Sequence, residues 1–139
     1  MKRLLTMFFI SYSLVGCGSG LENQESITFT RAKEIVTLFL KKDAQYTLTK
    51  SQEYKNSSGG TTVKGTCSIS GNSYAWTLAF DDSGKVSSFN FDSVTFLAKQ
   101  SGGHLSFLPE NKKYVKNDVV AVPTILELEK AGINAKEGF

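Results

Sequence analysis

Ser73 to Phe80 alternates strictly, with Tyr74, Trp76, Leu78 and Phe80 on one parity and Ala75, Thr77 and Ala79 on the other. A period of two cannot be a helix face, which repeats every 3.6 residues. It demands a strand with one heavily apolar face that something else must cover. Gly71-Asn72 before it reads as a two-residue hairpin connector, and Asp81-Asp82-Ser83-Gly84 after it as a turn. Thr61 to Ser70 alternates in the same way, with Val63, Gly65, Cys67 and Ile69 on one side. Gln45 to about Tyr54 gives a weaker strand, closed by the loop-forming run Lys55 to Gly60. Beyond the turn, Phe89 and Phe91 take one parity and Val94 and Phe96 the other. That slip predicts one strand from Lys85 to Ala98, broken by a β-bulge around Asp92-Ser93.

An amphipathic helix is available to cover the apolar face. Ala32, Ile35, Val36, Phe39 and Leu40 follow helical spacing, from an N-cap at Thr30 to an end near Lys42-Asp43. The expected fold class is therefore α+β, an antiparallel meander of three to four strands packed by an N-terminal helix, with a short C-terminal helix. Past Gln100 the signals weaken. Leu105-Ser106-Phe107 is a short strand candidate, and Tyr114 to Val122 could supply a final strand. Pro123 suits the first turn of the second helix and Gly132 its left-handed end, with Ile133 folding back on Leu128. The last few residues, ending at Phe139, are expected to fray.

The front of the chain has a different grammar. Lys2 and Arg3 precede an apolar stretch from Leu4 to Val15, too short for a bilayer core that needs about 20 helical residues. Basic residues, a short apolar run and small residues in that order fit a cleavable export signal. Its last four residues, Leu14-Val15-Gly16-Cys17, resemble the lipobox of bacterial lipoproteins. The resemblance implies a diacylglyceryl thioether on Cys17, cleavage between Gly16 and Cys17, and acylation of the new amino terminus, with palmitate as a typical chain. Gly18 after the cysteine, in place of Asp, favours the outer membrane in Gram-negative members of that class. The expected organisation is a signal over 1–16, a lipidated cysteine and tether over 17–26, and one small domain over 27–139.

Removing the signal leaves 139 − 16 = 123 residues, enough for one domain with a modest core. It also removes two of the 16 basic residues and none of the 13 acidic ones, so 14 face 13. A chain so balanced lacks the clustered positive face that nucleic acid requires. With Cys17 acylated, Cys67 is the last thiol, either buried as a small hydrophobe or free for an intermolecular bridge. One cysteine and one histidine cannot assemble a zinc site, and no cofactor is expected.

The catalytic inventory is short. His104, the sole histidine, could pair with Cys67 as base and nucleophile, but a thiol amid apolar strand neighbours is usually inert. Acid–base carboxylates would have to come from Glu53, Asp81, Asp82 or Asp92, and Asp81-Asp82-Ser83-Gly84 lacks the alternating ligands of a calcium loop. Asn56-Ser57-Ser58 matches a glycosylation sequon without meaning in a bacterial lipoprotein. Tyr74 and Trp76 read as core against the helix or, on an open sheet face, as anchors for a partner. Ser70-Gly71-Asn72-Ser73-Tyr74 is similar to the Ser-Gly-x-x-Tyr loop of lipoproteins that inhibit lysozyme. The chain departs from that family in its helices, its lack of a cysteine pair and its near-neutral charge. The expected role is a membrane-anchored, non-enzymatic binding or accessory module (an inhibitor, immunity or assembly factor) acting on another envelope protein. The alternatives are a structural or surface-exclusion lipoprotein, or a small envelope hydrolase.

Overall fold

The computed structural model describes residues 26–138. The expected export signal, Cys17 and nearly all of the expected tether lie outside the described residues.

The first element is α1, Ile27–Leu38. Its N-cap is Ser26 rather than Thr30, because the Ser26 hydroxyl accepts the Phe29 N–H at 2.9 Å. Phe29, Ala32, Ile35 and Val36 make its buried stripe, and Phe39 and Leu40 continue that stripe just beyond its end. Five longer strands follow: β1 Tyr46–Lys55, β2 Thr61–Ile69, β3 Asn72–Phe80, β4 Val86–Phe91 and β5 Val94–Lys99. The short β6 is Leu105–Phe107 and the short β7 is Ala135–Glu137, with α2, Ile125–Lys130, before it.

The sheet is mixed and seven-stranded, with order β1-β2-β3-β4-β5-β6-β7. It corrects the expected three to four strands: the molecule is mostly β with small helices. Every pair is antiparallel except β6–β7, which is parallel. That last pair needs a crossover, and residues 108–134 supply it through two 3-10 turns and α2. The phase slip after Phe91 is not a bulge. Asp92 and Ser93, at φ +54° and +66°, form a two-residue hairpin turn that divides the expected single strand into β4 and β5. Actual register shifts sit elsewhere, between Lys50 and Gln52 on β1 and opposite Ala79/Phe80 and Phe89/Asn90. The β2–β3 connector is Ser70-Gly71, one residue earlier than expected, since Ile69 pairs with Asn72.

Tyr114 to Val122 is not a strand; it holds 3-10 turns, and Val120 makes only an isolated bridge to Leu40. Ala135–Glu137, within the stretch expected to fray, is held by pairing along β6, while Phe139 lies outside the described residues. The stop of α2 follows expectation. The Ile133 N–H donates to the Leu128 carbonyl at 2.8 Å across Gly132 at φ +83°, and both apolar side chains are buried. The capping residue is Thr124, whose hydroxyl accepts the Glu127 N–H, while Pro123 lies just before it.

The core lies between α1 and one sheet face. Val63 and Cys67, then Trp76 and Leu78, then Phe89 and Phe91 point into it from successive strands. Phe29 stacks on Trp76 near one end of the helix, and Phe39 meets Phe89, Phe96 and Phe107 near the other. The helix thus crosses the sheet rather than following one strand.

Candidate functional site

In a meander, alternate connections share one end of the sheet. Here the β1–β2, β3–β4 and β5–β6 loops do so, and all three repeat one backbone design. Asn56, Asp81 and Gln100 each donate an N–H to the carbonyl four residues on, and the carbonyl of each accepts from a glycine three residues on. Those glycines, Gly59, Gly84 and Gly103, take φ +86°, +83° and +86°. In the first two loops a side-chain oxygen fills the centre: Asn56 Oδ1 accepts from Ser58 and Gly60, and Asp81 Oδ1 from Ser83 and Lys85. Asn56 Nδ2 also ties its loop to Thr62 Oγ1 and the Phe80 carbonyl.

The N-terminus of α1 abuts the same end. Ser26 Oγ donates to Glu53 Oε1 at 2.7 Å, and Arg31 donates to the Gly84 carbonyl while lying over the Phe80 ring. Two cavities open here. One of about 280 Å³ lies between α1 and the first two loops. The other, of about 230 Å³, lies between the β3–β4 loop, the β5–β6 loop and the turn after α2. Its rim carries Lys85, Lys99, Lys136 and His104, and its base is apolar, from Val86, Leu105 and Ile133.

Asp81 is the one carboxylate on that rim. The Ser83 hydroxyl bond, then the Lys85 and Ser83 backbone N–H groups, hold its pKa down to about 2 against a weaker opposing desolvation. Its second oxygen faces Lys99 Nζ at 3.5 Å. The carboxylate is therefore a loop organiser with its charge already answered, not a poised acid or a calcium ligand. Asp82 is exposed beside it. Glu53 is taken by Ser26 and Lys50, and Asp92 sits at the far end of the sheet, accepting the Lys116 N–H at 3.3 Å. No two of these separate carboxylates, Glu53, Asp81 and Asp92, flank a common cleft.

Cys67 and His104 are not brought together. Cys67 pairs with Leu48 and Tyr74 near the Ser70-Gly71 turn, whereas His104 closes a loop at the opposite end. Burial pushes the Cys67 thiol up to about 11, the wrong direction for a nucleophile. In the native protein at pH 8, Cys67 is therefore expected to be unreactive toward Ellman's reagent on a timescale of minutes. Unfolded in guanidinium, it should react at once. Prompt labelling of the native chain at Cys67 would contradict the burial.

Tyr74 and Trp76 are 4% and 1% exposed. Tyr74 stacks on Phe91 and its hydroxyl accepts from Asn117 Nδ2 at 2.8 Å. As anchors for a partner they are out of reach, because α1 and the segment around Asn117 cover the face they occupy. The likeness to the Ser-Gly-x-x-Tyr inhibitor loop fails on the same ground, since its tyrosine points into the core. What the sequence reading missed is the basic cavity. No family model matches the chain, and neither the curated proteins nor the solved structures hold a match to it.

Proposed function

We propose that this chain is a lipid-anchored bacterial envelope protein, held at the outer membrane through Cys17, that binds a partner or ligand without transforming it. The observation that supports a binding role is the placement of the two cavities. Both open at the loop end, where Ser26 caps α1 only nine peptide steps after Cys17. Nine steps reach at most about 30 Å. The loop end is thereby kept near the membrane surface and near whatever envelope component the domain meets. An enzymatic reading has less to draw on, with the thiol buried and the imidazole at the other end of the sheet. Among the described residues no helix is long and apolar enough to cross a membrane.

The test is detergent phase partition of the full chain expressed with its own signal. The wild type should enter the detergent phase, and Cys17→Ser should shift at least tenfold toward the aqueous phase, since each buried methylene is worth about 0.8 kcal/mol. Unchanged partition, or a mass spectrum with an unmodified sulfur, would refute the anchor. For the binding role, a photo-cross-linker at Ser83 or Gln100 should capture one recurrent envelope component. The same group at Thr66, on the outer sheet face, should not.

A further inference from the structure

The cavity of about 230 Å³ gathers basic groups from four separate segments. Lys85 ends the β3–β4 loop, Lys99 ends β5, His104 ends the β5–β6 loop and Lys136 lies in β7. Only Lys99 has a counter-charge, from Asp81 at 3.5 Å. Among the described residues Lys85, Lys136 and His104 have no hydrogen-bonded or ion-paired side-chain partner. Like charges held around one concavity repel one another, so the fold gains from any anion that enters. Salt bridges elsewhere are paired at ordinary range, as Lys50 is with Glu53 and Lys41 with Asp118. Among the described residues Lys112 and Lys116 also lack an ion-paired partner, but they line neither cavity; what sets this rim apart is that basic groups from four segments surround one concavity.

We propose that this cavity binds a phosphate ester. The rim supplies ammonium groups, compact point charges suited to a multiply charged tetrahedral oxyanion, and it lacks the planar guanidinium fork that favours a carboxylate. Asp81 contributes no vacant charge against an anion, because Ser83, Lys85 and Lys99 occupy it. The volume exceeds that of a bare phosphate and falls below the 300–1,000 Å³ usual for drug-sized ligands. The buried Val86, Leu105 and Ile133 side chains beneath the rim offer apolar contact to the organic part of the ester. The inference deepens the proposed binding role, and rests on the Cys17 anchor only for which way the cavity faces. Two sources share this chemistry, an anionic phospholipid headgroup beneath the domain and a free phosphate ester in the envelope.

Because His104 is the sole histidine, its C2–H proton resonance reports on the cavity directly. The full chain would be held in neutral detergent micelles at constant pH and ionic strength. Three titrants follow in separate arms: glycerol phosphate, phosphatidylglycerol doped into the micelle, and phosphatidylcholine as a zwitterionic control. A saturable movement of that resonance with glycerol phosphate supports the site with a free ester as source. Saturation only with phosphatidylglycerol supports it with the headgroup as source. In either case Lys85→Gln/Lys136→Gln should weaken binding about tenfold or more, as loss of two charge-assisted contacts requires. The charge-matched pair Lys112→Gln/Lys116→Gln, in the 3-10 segment toward the far end, should leave it within twofold. No saturable movement in any arm, equal movement with phosphatidylcholine, or equal weakening by both double variants would overturn the site. None of these results depends on whether Cys17→Ser releases the protein from membranes, so the anchor and the cavity fail separately.

Discussion

Phe39→Ala is expected to destabilise the fold by about 3–5 kcal/mol, the range for truncating a fully buried phenylalanine. Phe39 is wholly buried although it lies one residue past the end of α1. Its ring lies 4.7 Å from Phe89, 5.8 Å from Phe96 and 6.1 Å from Phe107, centroid to centroid. One side chain therefore joins the helix to β4, β5 and β6 together. Its backbone is also fixed, since the Phe39 carbonyl accepts the Ala121 N–H at 2.9 Å and ties the crossover to the helix. The cavity left by truncation cannot close easily, because three aromatic neighbours on three strands would have to move inward at once. Against a total stability of about 5–15 kcal/mol for a domain, the loss should lower the urea midpoint by about a fifth or more. Leu126→Ala, on the exposed side of α2, should change stability by no more than about 0.5 kcal/mol. A Phe39→Ala loss under about 1 kcal/mol, well below the range for such truncations, would mean that α1 does not cross the sheet as described.

The parts of this architecture that could be read in advance are those with enough periods to declare themselves. β3 has four inward residues in succession and its burial matches them, with Tyr74, Trp76, Leu78 and Phe80 all inside. The buried stripe of α1 was equally plain, but its ends were not. Ser26 looked like tether, while Phe39 and Leu40 are buried outside the helix and mimic two further helical positions. The β4–β5 turn was hidden by chemistry. A two-residue turn with positive φ at both positions usually announces itself through Asn-Gly, and Asp-Ser carries no such mark. Divided at that point, the stretch from 86 to 99 adds a strand, and the weak Leu105–Phe107 becomes the sixth. β7 was illegible because Ala-Lys-Glu has no alternation to speak of; it is a strand only because β6 offers it an edge.

The same miscount concealed the site. Lys85, Lys99, His104 and Lys136 are far apart in sequence, and no spacing motif joins them. They meet because odd-numbered connections in a six-strand meander all return to one end, and because the crossover brings β7 back parallel to β6. A usable signal did exist. Lys85 and Lys99 each border a glycine-bearing loop, with Gly84 before the first and Gly102-Gly103 after the second. With the strand count right, both would have fallen at the same end of the sheet as the start of α1. Positions of this kind are set by topology, so they become readable only after the topology is.

Gly65→Ala should be the second severe change, costing about 3 kcal/mol although it adds a single methyl group. Gly65 lies mid-strand in β2, directly paired with Trp76 on β3, and is itself buried. A Cβ built there would run into the Thr49 carbonyl on β1 and the Cζ2 and Cε2 atoms of the Trp76 ring. Its backbone is not left-handed, so the effect is purely one of space. The indole rests on the bare backbone of Gly65 with Phe29 parallel to it at 6.3 Å and 4°. Its N–H is buried without a hydrogen-bond partner, so shape alone fixes where the ring sits. The methyl must therefore push the carbonyl of a neighbouring strand or lift the ring off the sheet, and overpacking of this kind costs about 1–3 kcal/mol, sometimes more. Lifting the ring would also part it from Phe29 and loosen the start of α1, which lines the cavity of about 280 Å³. Urea unfolding followed by the fluorescence of this sole tryptophan measures both effects, since the native emission maximum should shift along with the midpoint. Double-mutant analysis with Trp76→Leu, followed by circular dichroism, isolates the cause. If the steric account holds, the smaller side chain should recover much of the Gly65→Ala loss; an undiminished penalty in the Trp76→Leu background would assign it to the Thr49 carbonyl alone.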